Sequence, residues 1–474
     1  MLSCLLCLVA PPDPLPPKQK WHLGLFRSDY LMHATPSSSR LGIRQVEFNT
    51  ISSSFGPLCA KLGQLHRALL QQTDFYRIDP RLLHPDALPR NTALQLLADG
   101  LAQAHKTYVA ELDYKRASHE EPRVLFVVQE KERNAFDQRW LEYELLERHN
   151  IRSIRQTFTS LVRTSEVAQD GTLRLYSPEL PAATEISTVY YRAGYAPSDY
   201  TSPAHWDLRL KLEESSAIKC PTLALQLAGA KKVQQVLSEP GVVESFLPDR
   251  TSTEIHALRE TWVALYPLDE DSALGRQGHE LAMTQYQRFV MKPQREGGGN
   301  NIYRDDIPVA LREMEERDAK RSTGGEPKER EGYILMELIV PPSGLGNYLI
   351  RPPVSASMQK GTMQDNLRHA EGLTTAECRL SADVVSELGI YGVALFSAHG
   401  GGHGGPAKLF ATDGGGGGGE VRFYSRPAPR ADGDKSDSAS ASVEAAYLLR
   451  TKGRESDEGG VAVGFSVLDS VVLV

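Results

Sequence analysis

The run RFVMKPQREGGGNNIY at residues 288–303 constrains this chain more than any other stretch. Phe289 to Lys292 is apolar and β-rich and ends on a lysine; after a proline come Glu296, three glycines and two asparagines. A strand feeding a glycine-rich turn lets backbone N–H groups approach an anion, and the lysine adds a point charge. Glu296 offers a hard oxygen of the kind Mg²⁺ takes. Neither GxxxxGK[ST] nor GxGxxG is present. A solvent turn rarely needs Lys, Arg, Glu, Gly₃ and Asn₂ together, so the run reads as a nucleotide-phosphate loop.

A second acidic element lies far upstream, in RQVEFNTISSSFG at 44–56. Strand periodicity places Glu47 and Asn49 on one face and Val46 and Phe48 on the other. Glu47, Asn49 and Glu296 then form a chemically sensible Mg²⁺ set, completed by water and phosphate. A half-buried strand with a solvated polar face is the plainer reading of the same pattern. In YLLRTK, 447–452, Arg450 and Lys452 share a strand face and can clamp carboxylate and phosphate oxygens, although such a pair taken alone is more often a solvated strand edge. RSDY (27–30), ERN with Gln138 (132–138) and YRAGY (191–195) add Arg and Tyr donors near expected strand ends, where ligands of α/β sheets tend to bind.

With 41% hydrophobic and 24% charged residues, the 474-residue chain can bury a large core and reads as a soluble globular protein. A formal charge of -7 with interspersed signs gives no basic stripe, which excludes nucleic acid as a partner. Five scattered cysteines fit a reduced compartment, the cytosol or a plastid, better than a disulfide framework. The apolar opening MLSCLLCLVA is too short to span a bilayer, and its CxxC has no second half for a zinc site. Residues 1–20 are set aside as a leader or a gene-model artefact.

The chain reads as α/β. Expected elements are a strand at Arg44–Asn49, a helix over Leu58–Leu70, a strand at Val124–Val128 and a helix over Arg133–Glu147. Strands follow at Ile151–Phe158 and Val189–Arg192, with helical sequence from Asp207 to Leu237 broken at Pro221. This stretch makes a small parallel-sheet domain at about 120–230. Later strands are expected at Phe289–Lys292, Tyr333–Val340 and Val461–Leu468. Residues 353–382 and 397–443, the latter with HGGGHGG and six consecutive glycines, read as disordered insertions.

Taken in order, GLFRSDY, RQVEFNTISSSFG, QEKERNAFDQR, VYYRAGY, KCPTLALQLAGAKKVQQ, RFVMKPQREGGGNNIY, YILMELI, SELGIYGV, LLRTK and GGVAVGFSVLD resemble the eukaryotic glutathione synthetase family, a branch of the ATP-grasp ligases. The resemblance implies an ATP-grasp fold with an inserted parallel-sheet substrate domain: 21–119 as the N-terminal part of the body, 120–230 as the substrate-binding domain and 231–474 as the ATP-grasp domain carrying both insertions. It implies Mg²⁺ ligation by Glu47, Asn49 and Glu296. Ser52, Ser53, Ser54, Glu132, Arg133, Asn134, Gln138, Arg192, Tyr195, Val461 and Ala462 match peptide contacts. Lys231, Lys292, Gly299, Asn300, Asn301, Tyr303, Met336, Glu337, Ile339, Glu387, Lys452 and Glu458, with Glu47 and Glu296, match ATP contacts. Arg27, Ser54, Gly297, Gly298 and Arg450 match the lining of the reacting centre.

The implied reaction joins glycine to γ-glutamylcysteine at the expense of ATP, through an acyl phosphate, to give glutathione in a homodimeric enzyme. Such transfers need positioning and charge neutralisation more than a protein nucleophile, in keeping with the residue types above. Two rivals stand beside it. One is a ligase of the same fold using β-alanine or another acceptor, suggested by Val463 where the family has a small residue; the other is a silent protein that binds ligand without turnover.

Overall fold

The computed structural model describes residues 19–34, 41–73, 87–111, 121–176, 182–296, 299–320, 327–351, 377–397, 421–423, 444–456, 461 and 466–472. The chain opens on β1 (Trp21–Ala34) and returns in β2 (Leu41–Asn49), followed by α1 (Gly56–Gln72) and α2 (Ala93–Glu111). An alternating stretch comprises β3 (Arg123–Val128), α3 (Ala135–His149), β4 (Ser153–Thr157), β5 (Thr184–Tyr191), α4 (Pro203–Glu214) and β6 (Ile218–Cys220). After α5 (Leu223–Ala228) and α6 (Lys231–Ser238) come β7 (Leu265–Pro267), α7 (Ala273–Thr284), β8 (Phe289–Pro293), β9 (Ile302–Tyr303), α8 (Asp306–Ala319) and β10 (Tyr333–Glu337). The last are β11 (Asn347–Arg351), β12 (Glu377–Ser381), β13 (Val384–Ser397), β14 (Val421–Phe423), β15 (Tyr447–Gly453) and β16 (Val467–Asp469).

One large mixed sheet runs β16-β15-β13-β1-β6-β5-β3-β4 along its main path. Its centre is β1, which pairs antiparallel with β13 from Trp21 opposite Ser397 to Leu31 opposite Glu387. The other edge of β1 is shared: its start runs parallel to β6 at His22, and its second half pairs antiparallel with β2 from Arg27 opposite Asn49. The parallel strands expected at 120–230 are therefore present and continue the same sheet through β1.

Because side chains alternate along a strand, one face of β1 carries Leu23, Leu25, Arg27 and Asp29 in turn. The apolar half of that face, with Val393 and Leu395 of β13, is covered by Leu94, Leu97 and Leu101 of α2. Each such fully buried side chain contributes about 1.5–3 kcal/mol. The polar half lies beyond the helix and borders the cavity described below. Close approach of α2 depends on Gly100, where a Cβ would lie 2.6 Å from Val393 Cγ1 and 3.0 Å from Leu25 Cδ2. Gly100→Val is expected to cost about 1–3 kcal/mol through overpacking, read as a lower urea midpoint with unchanged slope. An unchanged midpoint would mean that the helix lifts off without loss.

A second, antiparallel sheet runs β7-β10-β8-β9. Phe289, Met291 and Leu335 pack on Ile307, Leu311 and Met314 of α8. Val290, Ile334 and Met336 cluster on the opposite face, to which Lys292 also belongs by alternation.

Several expectations are revised. The helical stretch 207–237 is interrupted not only at Pro221 but by strand β6, whose three residues are too few to show a period. Phe158 opens a short helix instead of ending a strand, and β10 stops at Glu337 instead of Val340. Parts of the two insertions are ordered strands: β12 pairs with β11, and β14 pairs with β13. The rest of both insertions, and residues 1–18 of the leader, lie outside the described residues; Gln19 and Lys20 already bond to the body at Ser216 and Glu111. Of the expected strand 461–468, only Val467–Asp469 is a described strand, and 462–465 are outside. Among the described residues, no helix is long and apolar enough to cross a membrane.

Candidate active site

Where the polar half of the large sheet meets the Val290/Met336 face of the small one, a cavity of about 650 Å³ opens. The register of four strands explains its lining. Asn49 lies opposite Arg27, Glu47 opposite Asp29, Leu31 opposite Glu387, and Glu387 opposite Arg450. Residues from four distant segments thus form adjacent rows on one face, with Lys452 two residues beyond Arg450 also lining the cavity.

Glu47, Asn49 and Glu296 gather around a lysine. Lys231, at the start of α6, places its Nζ 2.8 Å from Glu47 Oε2 and 3.6 Å from Glu296 Oε1. Asn49 Nδ2 donates to Glu47 Oε1 at 3.3 Å. Burial opposes the charge on Glu47, but Lys231 and Lys292 overcome it and hold the carboxyl far below the usual range. For Glu296 burial prevails over Lys231, and its pKa is raised. Lys231 is raised, its two carboxylates outweighing burial. Lys292 donates to the Val46 carbonyl at 3.0 Å, and burial pulls its pKa down to about 8. Two carboxylates and an amide oxygen make a donor set that fits a hard divalent ion retaining water and phosphate ligands. Among the described residues, no group of three or more His, Cys, Asp or Glu forms a self-sufficient metal cage.

On the apolar side, Met336, Ile339, Tyr303 and Val290 line the cavity, and Asn301 Nδ2 donates to Tyr303 Oη at 3.2 Å. Asn300 and Glu337 also line it, Glu337 while accepting from Arg288 at 2.7 Å. Gly299 has φ of 71° and open space where a Cβ would sit, but does not line the cavity. Gly297, Gly298, Glu458 and Ala462 lie outside the described residues.

The opposite end is built around the Ser52–Phe55 loop. Ser52 and Phe55 have φ of 53° and 74°, a left-handed conformation that non-glycine residues adopt only when their surroundings impose it. The surroundings are evident: Asp137 of α3 accepts from the N–H groups of Phe55 at 2.8 Å and Leu58 at 3.1 Å, capping α1 from another helix. Arg192 donates to Ser53 O at 3.0 Å and to Ser54 Oγ at 2.5 Å, and Tyr391 Oη donates to Ser54 O at 2.5 Å. Glu132 accepts from the Asn134 N–H and from Gln138 Nε2, both at 2.8 Å, and Arg155 donates to Gln138 Oε1 at 2.7 Å. Tyr195 Oη accepts from Gln129 at 2.9 Å, and Arg133 and Val461 complete this side.

Asp29, Asp137, Arg155 and Tyr391 escaped the sequence reading. Asp29 was within reach, two residues from Arg27 on the same strand face. The other three act across elements, and no local pattern marks them.

A family model described as the ATP-binding domain of eukaryotic glutathione synthase matches residues 16–473. The chain belongs to the eukaryotic glutathione synthase family. Among relatives in that family, it is 36% identical to the chloroplastic glutathione synthetase of Solanum lycopersicum, across 95% of this chain and 64% of that one. It is 35% identical to the glutathione synthetase large chain of Schizosaccharomyces pombe, covering 96% and 76%, and 35% identical to human glutathione synthetase, covering 94% and 74%. The chain thus spans less than two thirds of the tomato protein's length. In fold it is similar to the apo structure of a glutathione synthetase-like effector of Globodera pallida, with a TM-score of 0.60 at 18% identity over 100% of this chain and 80% of that one. The mixed α/β architecture is of the ATP-grasp type found in glutathione synthases.

Proposed function

We infer that the chain catalyses the ATP-dependent ligation of glycine to γ-glutamylcysteine, giving glutathione, ADP and phosphate. The observation that carries the reading is the convergence of Arg27, Glu47, Glu387 and Arg450, from four strands, on one cavity faced by Lys292. ATP's base would lie against Met336 and Ile339, with its phosphates toward Lys292, Lys231 and the glycine loop. Glu47, Asn49 and Glu296 would hold Mg²⁺, which when bound neutralises phosphate charge. Arg192, Tyr195, Glu132, Asn134 and Gln138 would hold the γ-glutamyl end, and Ser54, Arg27 and Arg450 the carboxylate that accepts the γ-phosphoryl group. Glycine's amine then attacks the acyl phosphate and releases phosphate. Charge complementarity and positioning carry such a reaction without a protein nucleophile.

Within this reading, 21–119 and 231–474 form the ATP-grasp body and 120–230 the substrate domain; we place the enzyme in the cytosol as a homodimer. ADP release measured with γ-glutamylcysteine and ATP while the acceptor is varied tests the activity. Glycine is expected to drive turnover best. Preference for β-alanine favours a homoglutathione-type ligase, and a folded, ATP-binding sample with no acceptor-dependent ADP favours a silent protein.

The lowered Lys292 pKa gives a pH dependence. A lysine whose folded pKa lies below its usual value near 10.4 carries its charge at a cost to the fold at neutral pH, and that cost vanishes as the proton leaves above about pH 8. Phosphate affinity goes with it. The Kd for ATP is expected to rise by up to about tenfold per unit above pH 8. Lys292→Arg, always charged, should flatten the profile in a fluorescence titration from pH 7 to 9.5. A flat wild-type profile would remove Lys292 from the phosphate contact.

A further inference from the structure

We propose that Asp29 is a positioning residue of this site, a buried carboxylate that aims the Arg27 and Arg450 guanidiniums and the Asn49 amide at the reacting centre. Asp29 is 1% exposed and does not line the cavity, so it acts only through its partners. Oδ1 accepts from Arg27 Nε at 2.6 Å and Oδ2 from Arg27 Nη2 at 2.8 Å, a bidentate fork that fixes the guanidinium plane. Oδ2 also accepts from Asn49 Nδ2 at 3.1 Å and lies 3.6 Å from Arg450 Nη2. Arg450 is tied on its other side to Glu387. One negative group between two cations lowers their mutual repulsion and sets their separation, so both can face the same carboxylate of a bound ligand.

The fold reserves space for this fork. Gly389 of β13 sits opposite Asp29, and a Cβ there would lie 2.7 Å from Asp29 Oδ1 and 2.8 Å from Arg27 Cδ. Any side chain at 389 would drive into the pair. The remaining Arg27 nitrogen, Nη1, donates to Ser54 O at 3.2 Å, which links the fork to the serine loop.

The inference rests on the proposed reading that Arg27 and Arg450 face the peptide's reacting carboxylate. Asp29→Asn keeps the size and removes the charge; Gly389→Ala keeps the charge and displaces the fork. Both are expected to lower kcat by about 10–100-fold, the usual loss when a partner that orients a site ligand is removed. Rates are normalised to the count of ATP-binding sites, so that kcat refers to folded protein alone. A purely structural role would lower the count of ATP-binding sites and leave the normalised kcat alone. Normalised wild-type kcat in Asp29→Asn would overturn the proposal; should that variant fail to fold, normalised wild-type kcat in Gly389→Ala would do so. If the wild type itself binds ATP without turnover, the functional reading fails separately. The Kd for γ-glutamylcysteine then decides: at least tenfold weaker in the folded variant supports positioning, and an unchanged value overturns it.

Discussion

Glu296→Ala should reduce acceptor-dependent ADP release by about a hundredfold or more while leaving the thermal midpoint where it was. The carboxylate is buried and its pKa is raised, so ionising it inside the fold carries a desolvation cost that the alanine removes. Among the described residues its ion-pair partner is Lys231 at 3.6 Å, which retains the closer Glu47 at 2.8 Å. The fold therefore loses little. The proposed chemistry loses one of two carboxylate donors to the divalent ion, and a misplaced cation at a transferring phosphoryl group is worth several kcal/mol of barrier. A coupled assay for ADP at saturating γ-glutamylcysteine and glycine, beside a melting curve, reads both quantities. Turnover near wild type would remove Glu296 from the metal set and leave only Glu47 and Asn49.

The largest stability effect is expected away from the cavity, at Arg209→Met. Arg209 is fully buried, stacks 3.9 Å over the Tyr191 ring, and donates to Tyr191 Oη at 2.7 Å and Glu213 Oε2 at 2.9 Å. Glu213 also receives the Leu223 N–H at 3.0 Å, so the pair ties α4 to the start of α5. Methionine fills some of the volume but leaves the Glu213 carboxylate and the Tyr191 hydroxyl short of a partner. Arg209 is fully buried while Glu213 is partly exposed, so the loss is expected at about 2–4 kcal/mol, from the Tyr191 hydroxyl left unpaired and the volume not refilled, to be read from urea unfolding. Because Gln226 of α5 holds the Gly194 carbonyl at 3.0 Å, within the Arg192–Tyr195 turn, the KM for the peptide should rise as well. A loss under about 1 kcal/mol would mean that the surrounding groups re-pair without the guanidinium.

Three parts of this site were legible in the residues themselves because their donors follow simple periods, whereas Lys231, Glu387, Met336 and Ile339 came only with the family resemblance. Glu47 with Asn49, and Arg450 with Lys452, are spaced by two on strands, and the Lys292 strand runs straight into its glycines. The central strand β1 was not legible, for a physical reason: its inward face changes from Leu23 and Leu25 to Arg27 and Asp29. That break in apolar alternation is the site itself, so the residues that make the strand functional also disguise it. Strand β6 hid similarly, since Lys219 is buried with its ammonium on the Ser215 carbonyl at 2.8 Å, and a lysine there reads as surface. Asp137 and Tyr391 gave no signal, because what they do depends on which loop the fold lays beside them.

The pairing of β1 with β13 bears on how the polypeptide is made. The first strand of the body finds its long partner only when residues 384–397 have been synthesised, some 360 positions later. At about 5–20 residues per second, a ribosome takes from roughly twenty seconds to over a minute to deliver them. Throughout that interval the amino-terminal strand presents an open edge and half an apolar face, a template for mispairing with other chains until its partner arrives.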